Sequence, residues 1–152
     1  MRKLIALFAL VALPVLAEGT YQITQESSLS TSTEVITVRL GSTATVTAVF
    51  DWISIDCSAD VDFSIESGGT FSSGTAMAEN KTESGWDTAI AVATRSTSIS
   101  GGTTMTKHRC REDVTYILTT AALPAVLLSG SLTIRTESST AEVIINAQWR
   151  ER

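Results

Sequence analysis

The chain has 152 residues and a formal net charge of -5, with 11 Lys or Arg against 16 Asp or Glu. This acidic balance argues against a nucleic-acid partner, because proteins that bind a phosphate backbone carry clustered basic surface. The length suits one domain of ordinary size, which buries a core without needing a metal or several disulfides.

The first residues have the order of a secretory signal peptide. Arg2 and Lys3 precede an apolar, uncharged run from Leu4 to Ala17, which ends in small residues. The run is shorter than the about 20 residues of a membrane-spanning helix. We therefore expect cleavage after Ala17, one domain over residues 18–152, and no stable membrane span. An uncleaved anchor or an N-terminal arm is the alternative.

Residues 42–66 alternate apolar and polar side chains, which predicts consecutive, half-buried antiparallel strands. Polar turns are predicted near Asp51 and at Ser58 to Asp60. The side chains predicted to face inward are Ala44, Val46, Ala48, Phe50, Ile53, Ile55, Cys57, Val61, Phe63 and Ile65.

Glycine and serine interrupt the alternation at residues 68–74, and residues 76–87 are predicted to form a loop. A turn is predicted at Ser100-Gly101-Gly102. The later strands are predicted at residues 88–94, 103–108, 114–118, 125–136 and 141–149. Eight to ten strands with a turn about every ten residues predict an all-β antiparallel sandwich, jelly-roll-like in type.

The segment KHRCRED, Lys107 to Asp113, contains the only histidine, His108, and one of the two cysteines. Because Cys57 and Cys110 are an even pair in a chain with an export signal, we predict that they form a disulfide; two buried free thiols are the alternative. His108 lacks the further ligands that a metal site needs. The charged neighbours predict a solvated strand edge that resists aggregation.

No sequence motif points to catalysis or to a cofactor. G-x-S-x-G, Walker and dinucleotide-binding motifs are absent, and the histidine does not lie beside a nucleophile elbow. The acidic residues from Asp51 to Glu66 do not have the spacing of an EF-hand loop, so a solvated strand face is favoured and calcium binding stays open. We predict no enzymatic activity, no cofactor and no metal. A secreted carbohydrate-active enzyme, the third class considered, would need a carboxylate pair in a cleft.

The tryptophans Trp52, Trp86 and Trp149 are candidates for a sugar-stacking platform, although scattered tryptophans more often belong to the core. Trp86 is the best candidate for an exposed interface anchor, because it lies in the predicted loop ESGWD.

The segments DVDFSIESGGTFSSGTAMAENKTE and TESSTAEVIINAQWRE resemble a group of small β-sandwich virion proteins of tailed bacteriophages, over about residues 43–151. Gly74-Thr75 and Asn80 match a loop of that group, and Lys81 stands where the group tends to have Arg. Trp149-Arg150-Glu151 matches its closing strand but lacks a second aromatic residue.

The resemblance implies a head decoration or auxiliary virion protein that forms homo-oligomers and contacts other structural subunits. Trp86, Asn80, Lys81 and Trp149 are then possible interface residues. The alternative is an exported bacterial module, periplasmic or on the cell surface, that binds a partner and is stabilised by Cys57–Cys110. Both hypotheses describe a non-enzymatic structural or interaction protein.

Overall fold

A computed structural model describes residues 19–29, 33–40, 45–81, 89–123, 125–126, 129–137 and 139–152. These residues form eleven strands and one 3₁₀ turn at Thr120–Ala122. The strands are β1 (Gly19–Ser28), β2 (Val35–Arg39), β3 (Ala48–Cys57), β4 (Val61–Ser67), β5 (Thr70–Ala76), β6 (Asn80–Lys81), β7 (Val92–Ser100), β8 (Thr103–Cys110), β9 (Tyr116–Thr119), β10 (Ser131–Thr136) and β11 (Glu142–Glu151). Within the described ranges, no helix is long and apolar enough to cross a membrane. The predicted signal segment, residues 1–17, lies outside the described residues and stays a prediction.

The strands form two antiparallel sheets that pack against each other. The five-stranded sheet has the order β6-β1-β11-β3-β9, and the six-stranded sheet has the order β5-β7-β2-β10-β4-β8. Without β5, β6 and β7, the two sheets reduce to β1-β11-β3-β9 and β2-β10-β4-β8. Within this eight-strand set, the chain crosses between the sheets after β1, β2, β3, β8, β9 and β10, which is the winding of a jelly roll. The predicted all-β, jelly-roll-like sandwich is confirmed.

Strand β3 contains a β-bulge where the sequence predicted a turn. Gln148 of β11 is opposite Trp52, whereas the next residue, Trp149, is opposite Phe50. Asp51 is therefore the extra residue, and inward-facing positions change from even numbers before the bulge to odd numbers after it. The prediction of a turn near Asp51 was wrong because a turn and a bulge both interrupt the alternation.

The predicted turn at Ser58 to Asp60 is present, but it joins two sheets instead of two neighbours in one sheet. The predicted break at residues 72–74 lies inside β5, an edge strand with mostly exposed side chains. A strand exposed on both faces has no hydrophobic alternation to detect. Strand β7 likewise runs to Ser100, well beyond the predicted end at residue 94.

The core lies between the sheets, and its largest side chain is Trp149, which is fully buried. Its indole lies 6.0 Å from the ring of Tyr21 and 6.1 Å from the ring of Phe50, measured between centroids. Tyr21, Phe50 and Trp149 come from β1, β3 and β11, so this cluster joins the three central strands of the five-stranded sheet. Trp149, expected as a possible interface residue, is a core residue in this fold.

Candidate functional site

Cys57 and Cys110 form a disulfide, as predicted. Cys57 ends β3 in the five-stranded sheet, and Cys110 ends β8 in the six-stranded sheet, so the bond joins the two sheets. Their Cα atoms are 6.3 Å apart, and both residues belong to the core. The bond closes a loop across 53 residues of sequence. Its effect is to fix the side of the sandwich where the edge strands β8 and β9 meet.

His108 lies on that same side, and its ring contacts the side chains of Thr106, Tyr116 and Phe63. Nδ1 is 2.5 Å from the hydroxyl of Tyr116 in β9, and Nε2 is 2.5 Å from the hydroxyl of Thr106 in β8. The ring also packs against Phe63 and Tyr116, with centroids 5.5 Å and 4.8 Å away. The expectation of a solvated strand end is therefore corrected for His108, which connects the edges of the two sheets.

Two ion pairs lie near His108. Arg109 Nε lies 2.6 Å from Asp62 Oδ1, and Arg135 Nε lies 3.1 Å from Glu66 Oε1. The hydrogen bond from Arg109 lowers the pKa of Asp62 and raises that of Arg109. These pairs line an open groove of about 530 Å³ on the outer face of the six-stranded sheet. The groove is lined by three acidic and three basic side chains, so it offers no concentrated field of one sign.

The opposite side of the sandwich is held by glutamates that accept hydrogen bonds from the backbone of β7 and its preceding segment. Glu151 is 2% exposed and accepts from the backbone N–H groups of Ile90 at 2.9 Å and Ala91 at 2.8 Å. Glu79 accepts from Ala93 at 3.1 Å. Glu34 accepts from the backbone of Ser96, also at 3.1 Å, and from the Ser27 hydroxyl at 2.9 Å. These carboxylates satisfy backbone donors near the sheet edge, which is a structural role.

The outer face of the five-stranded sheet carries a continuous group of uncharged polar side chains around one tryptophan. Two rows run across β1, β11 and β3, because the register aligns their residues. We call these six residues the uncharged strip: Gln22, Gln148 and Trp52 in one row, and Thr24, Asn146 and Ser54 in the other. Their buried chain neighbours, such as Ile23, Ile53 and Ala147, point into the core.

Hydrogen bonds fix the side chains in the middle of the strip. Thr24 donates to Asn146 Oδ1 at 2.7 Å, and Asn146 Nδ2 donates to Ser54 Oγ at 3.2 Å. Gln148 Nε2 donates to Asp51 at 3.3 Å, and Asp51 also accepts from Arg150. The amides of Asn146 and Gln148 are therefore oriented in the protein itself. Each amide keeps donor and acceptor capacity for a further partner, since an amide has two N–H donors and two lone pairs.

The other residues predicted as interface candidates are not gathered into one site. Asn80 is exposed in β6, where it pairs with Gln22 of β1, and Lys81 pairs with Tyr21. Trp86 lies outside the described residues. Among the residues that are described, no group of three or more His, Cys, Asp or Glu side chains comes together in a way that would hold a metal ion.

Trp52 was predicted only as one of three candidate tryptophans, and no role was predicted for Glu151. The change of apolar positions from even to odd numbers between Phe50 and Ile53 is a signal that marks a bulge and places Trp52 outward. No local signal distinguishes Glu151 from the other acidic residues. Comparison of the chain with models of protein families, with curated proteins and with solved structures found no match.

Proposed function

We propose that this protein is an exported, non-enzymatic interaction module, a jelly-roll sandwich that works in an oxidising compartment. The observation that carries the proposal is the Cys57–Cys110 disulfide between the two sheets. Disulfides persist in secreted and periplasmic proteins and are rare in a reducing cytosol. The signal-like order of residues 1–17 supports export independently.

The distribution of side chains supports binding over catalysis. The histidine has both ring nitrogens bonded to hydroxyls, and two acidic residues of the groove, Asp62 and Glu66, are paired with arginines. The outer face of the five-stranded sheet, in contrast, presents oriented amides and a partly exposed Trp52. Such a face suits recognition of a partner. Because one fold supports many functions, the jelly roll itself does not decide the role.

The test is the intact mass of the native protein, measured without and then with reductant after soluble extract has been separated from sedimentable particles. The proposal expects a soluble protein that lacks residues 1–17 and gains about 2 Da on reduction, as one disulfide requires. A full-length protein with unchanged mass would overturn it.

The second hypothesis, a virion decoration or auxiliary subunit, rests on the resemblance of residues 43–151 to phage virion proteins. It expects the protein to sediment with particles, to form closed symmetric homo-oligomers and to contact other structural subunits. Recovery of the protein only in the soluble exported fraction would contradict this hypothesis. The same fractionation therefore separates the two roles.

A further inference from the structure

We propose that the uncharged strip on the five-stranded sheet binds a neutral oligosaccharide, with Trp52 stacking against a sugar ring. This inference rests on the proposed function and names the ligand class of the module. It starts from the position of Trp52, which the bulge at Asp51 turns out of the core and onto the outer face, opposite Gln148 and Thr119.

The chemistry of the strip matches a sugar ring better than other ligands. A pyranose has an apolar C–H face, which packs on an aromatic ring, and hydroxyls around its rim, each of which donates and accepts hydrogen bonds. Trp52 supplies the aromatic surface. The amides of Asn146 and Gln148 and the hydroxyls of Thr24 and Ser54 supply both donors and acceptors.

The size and rigidity of the strip also suit a short oligosaccharide. Its three strands are spaced by about 4.8 Å, so the two rows extend about 10 Å across the sheet. A flat sheet face leaves both ends of the rows open, which allows a longer chain to continue past them. The existing hydrogen bonds among Thr24, Asn146 and Ser54 hold the binding groups in place before the ligand arrives, which lowers the entropic cost of binding.

The surrounding charges indicate that the ligand is neutral. Beyond the row that contains Trp52 lies the ion pair of Arg150 and Asp51, whose charged atoms are 2.7 Å apart, so the positive charge of Arg150 already has a partner. Beyond the row that contains Asn146 lie the carboxylates of Glu26 and Asp56, on the two strands that flank Ile144. A phosphate-bearing or uronic-acid ligand would approach these two carboxylates without a free cation in the strip to balance them.

The test is affinity electrophoresis of the purified, oxidised protein through gels that contain soluble neutral polysaccharides. A β-glucan, a xylan, a galactomannan and an α-glucan are the probes, with polygalacturonate as a charged comparison. We expect retardation by at least one neutral probe and none by polygalacturonate. Trp52→Ala should weaken that binding about tenfold, as expected for removing a central aromatic contact, whereas Trp52→Phe should keep most of it.

Two further variants complete the design. Phe71→Ala removes a partly exposed aromatic ring that lies beneath Arg39 on the other sheet, so it should leave binding unchanged. Asn146→Ala removes the central amide and should weaken binding. It tests the strip independently if Trp52→Ala does not fold. Thermal unfolding of each variant shows whether the fold is intact.

Several outcomes would overturn the inference. One is that none of the four neutral probes retards the folded wild-type protein. Another is that the gels retard wild type and folded Trp52→Ala equally. If Trp52→Ala instead dissociates a homodimer in sedimentation and no probe binds, the strip is a contact between copies. A failure here, with the disulfide and export confirmed by mass, would leave the proposed function standing. A reduced, full-length protein would contradict the proposed function, and the gels would still report on the strip.

Discussion

The two sides of the sandwich are closed by different chemistry. On the side of β8 and β9, a disulfide and the aromatic contacts of His108 join the sheets. On the side of β7, the carboxylates of Glu34, Glu79 and Glu151 accept hydrogen bonds from backbone N–H groups. One side is closed by a covalent bond, and the other depends on the alignment of hydrogen bonds.

This difference determines how each side stabilises the fold. In the chain-entropy model, a disulfide acts mainly by restricting the unfolded chain, so its effect depends on the length of the closed loop. A buried carboxylate acts in the folded state, because its removal leaves backbone donors without a partner in the interior. The first kind of closure is therefore lost on reduction, and the second is lost when the acceptor is removed or displaced.

The largest effect is expected from removing the disulfide. Replacing both Cys57 and Cys110 by Ala should lower the free energy of unfolding by about 4 kcal/mol, because the bond closes a loop of 53 residues. Urea unfolding measures the change. Wild-type protein in reductant should show a similar loss, which controls for the substitutions themselves. A loss below about 1 kcal/mol would mean that packing alone closes this side.

The next effect concerns Glu151 on the side of β7. Glu151→Ala should lower the free energy of unfolding by about 3 kcal/mol, since the backbone N–H groups of Ile90 and Ala91 and the buried indole N–H of Trp149 lose their acceptor. Hydrogen exchange at these two amides should become faster than in wild type.

Two matched variants sharpen this result. Glu151→Gln keeps a carbonyl oxygen and should cost less than Glu151→Ala. Glu142→Ala, at an exposed glutamate of the same strand, should cost almost nothing. Unchanged exchange at Ile90 and Ala91 in Glu151→Ala would show that the carboxylate does not hold this segment.

A smaller effect is expected from the contact between His108 and Tyr116. Tyr116→Phe removes the hydroxyl bonded to Nδ1 but keeps the ring that packs edge-on against Phe63, so the loss should be about 1 kcal/mol. Urea unfolding gives the stability, and the imidazole signals of the only histidine report the changed environment. If Tyr116→Phe is as stable as wild type, then ring packing alone, without the hydroxyl, holds His108 and Tyr116 together.

The smallest effect is expected from the exposed ion pair of Asp62 and Arg109. Arg109 lowers the pKa of Asp62, so the pair contributes stability above the ordinary carboxyl pKa, and that contribution disappears as pH falls through the lowered pKa. Asp62→Asn should therefore be slightly less stable at neutral pH and equal to wild type in strong acid. Salt should reduce the difference, because solvent and ions screen exposed pairs. A difference that grows toward acid would contradict this assignment.

Much of the fold was predictable because strand periodicity is a local property. The inward positions from Val61 to Ile65 and the turn at Gly101 follow from alternation and from turn residues, and the structure has both. No strand was predicted before residue 42, so β1 and β2 were missed. The misplaced β5 and second half of β7 have exposed or polar side chains, so their pairing is set by neighbours instead of by their own pattern.

The sequence by itself predicted the all-β class and the only possible cysteine pairing, since the period-two pattern is local and two cysteines allow one pairing; the structure places their Cα atoms 6.3 Å apart and forms the bond. Only the tertiary structure decided that Trp149 is in the core, that Trp52 faces outward and that Glu151 holds the segment before β7. The reason is that a bulge depends on the register with the partner strand, and a buried carboxylate is defined by donors 60 residues away along the chain.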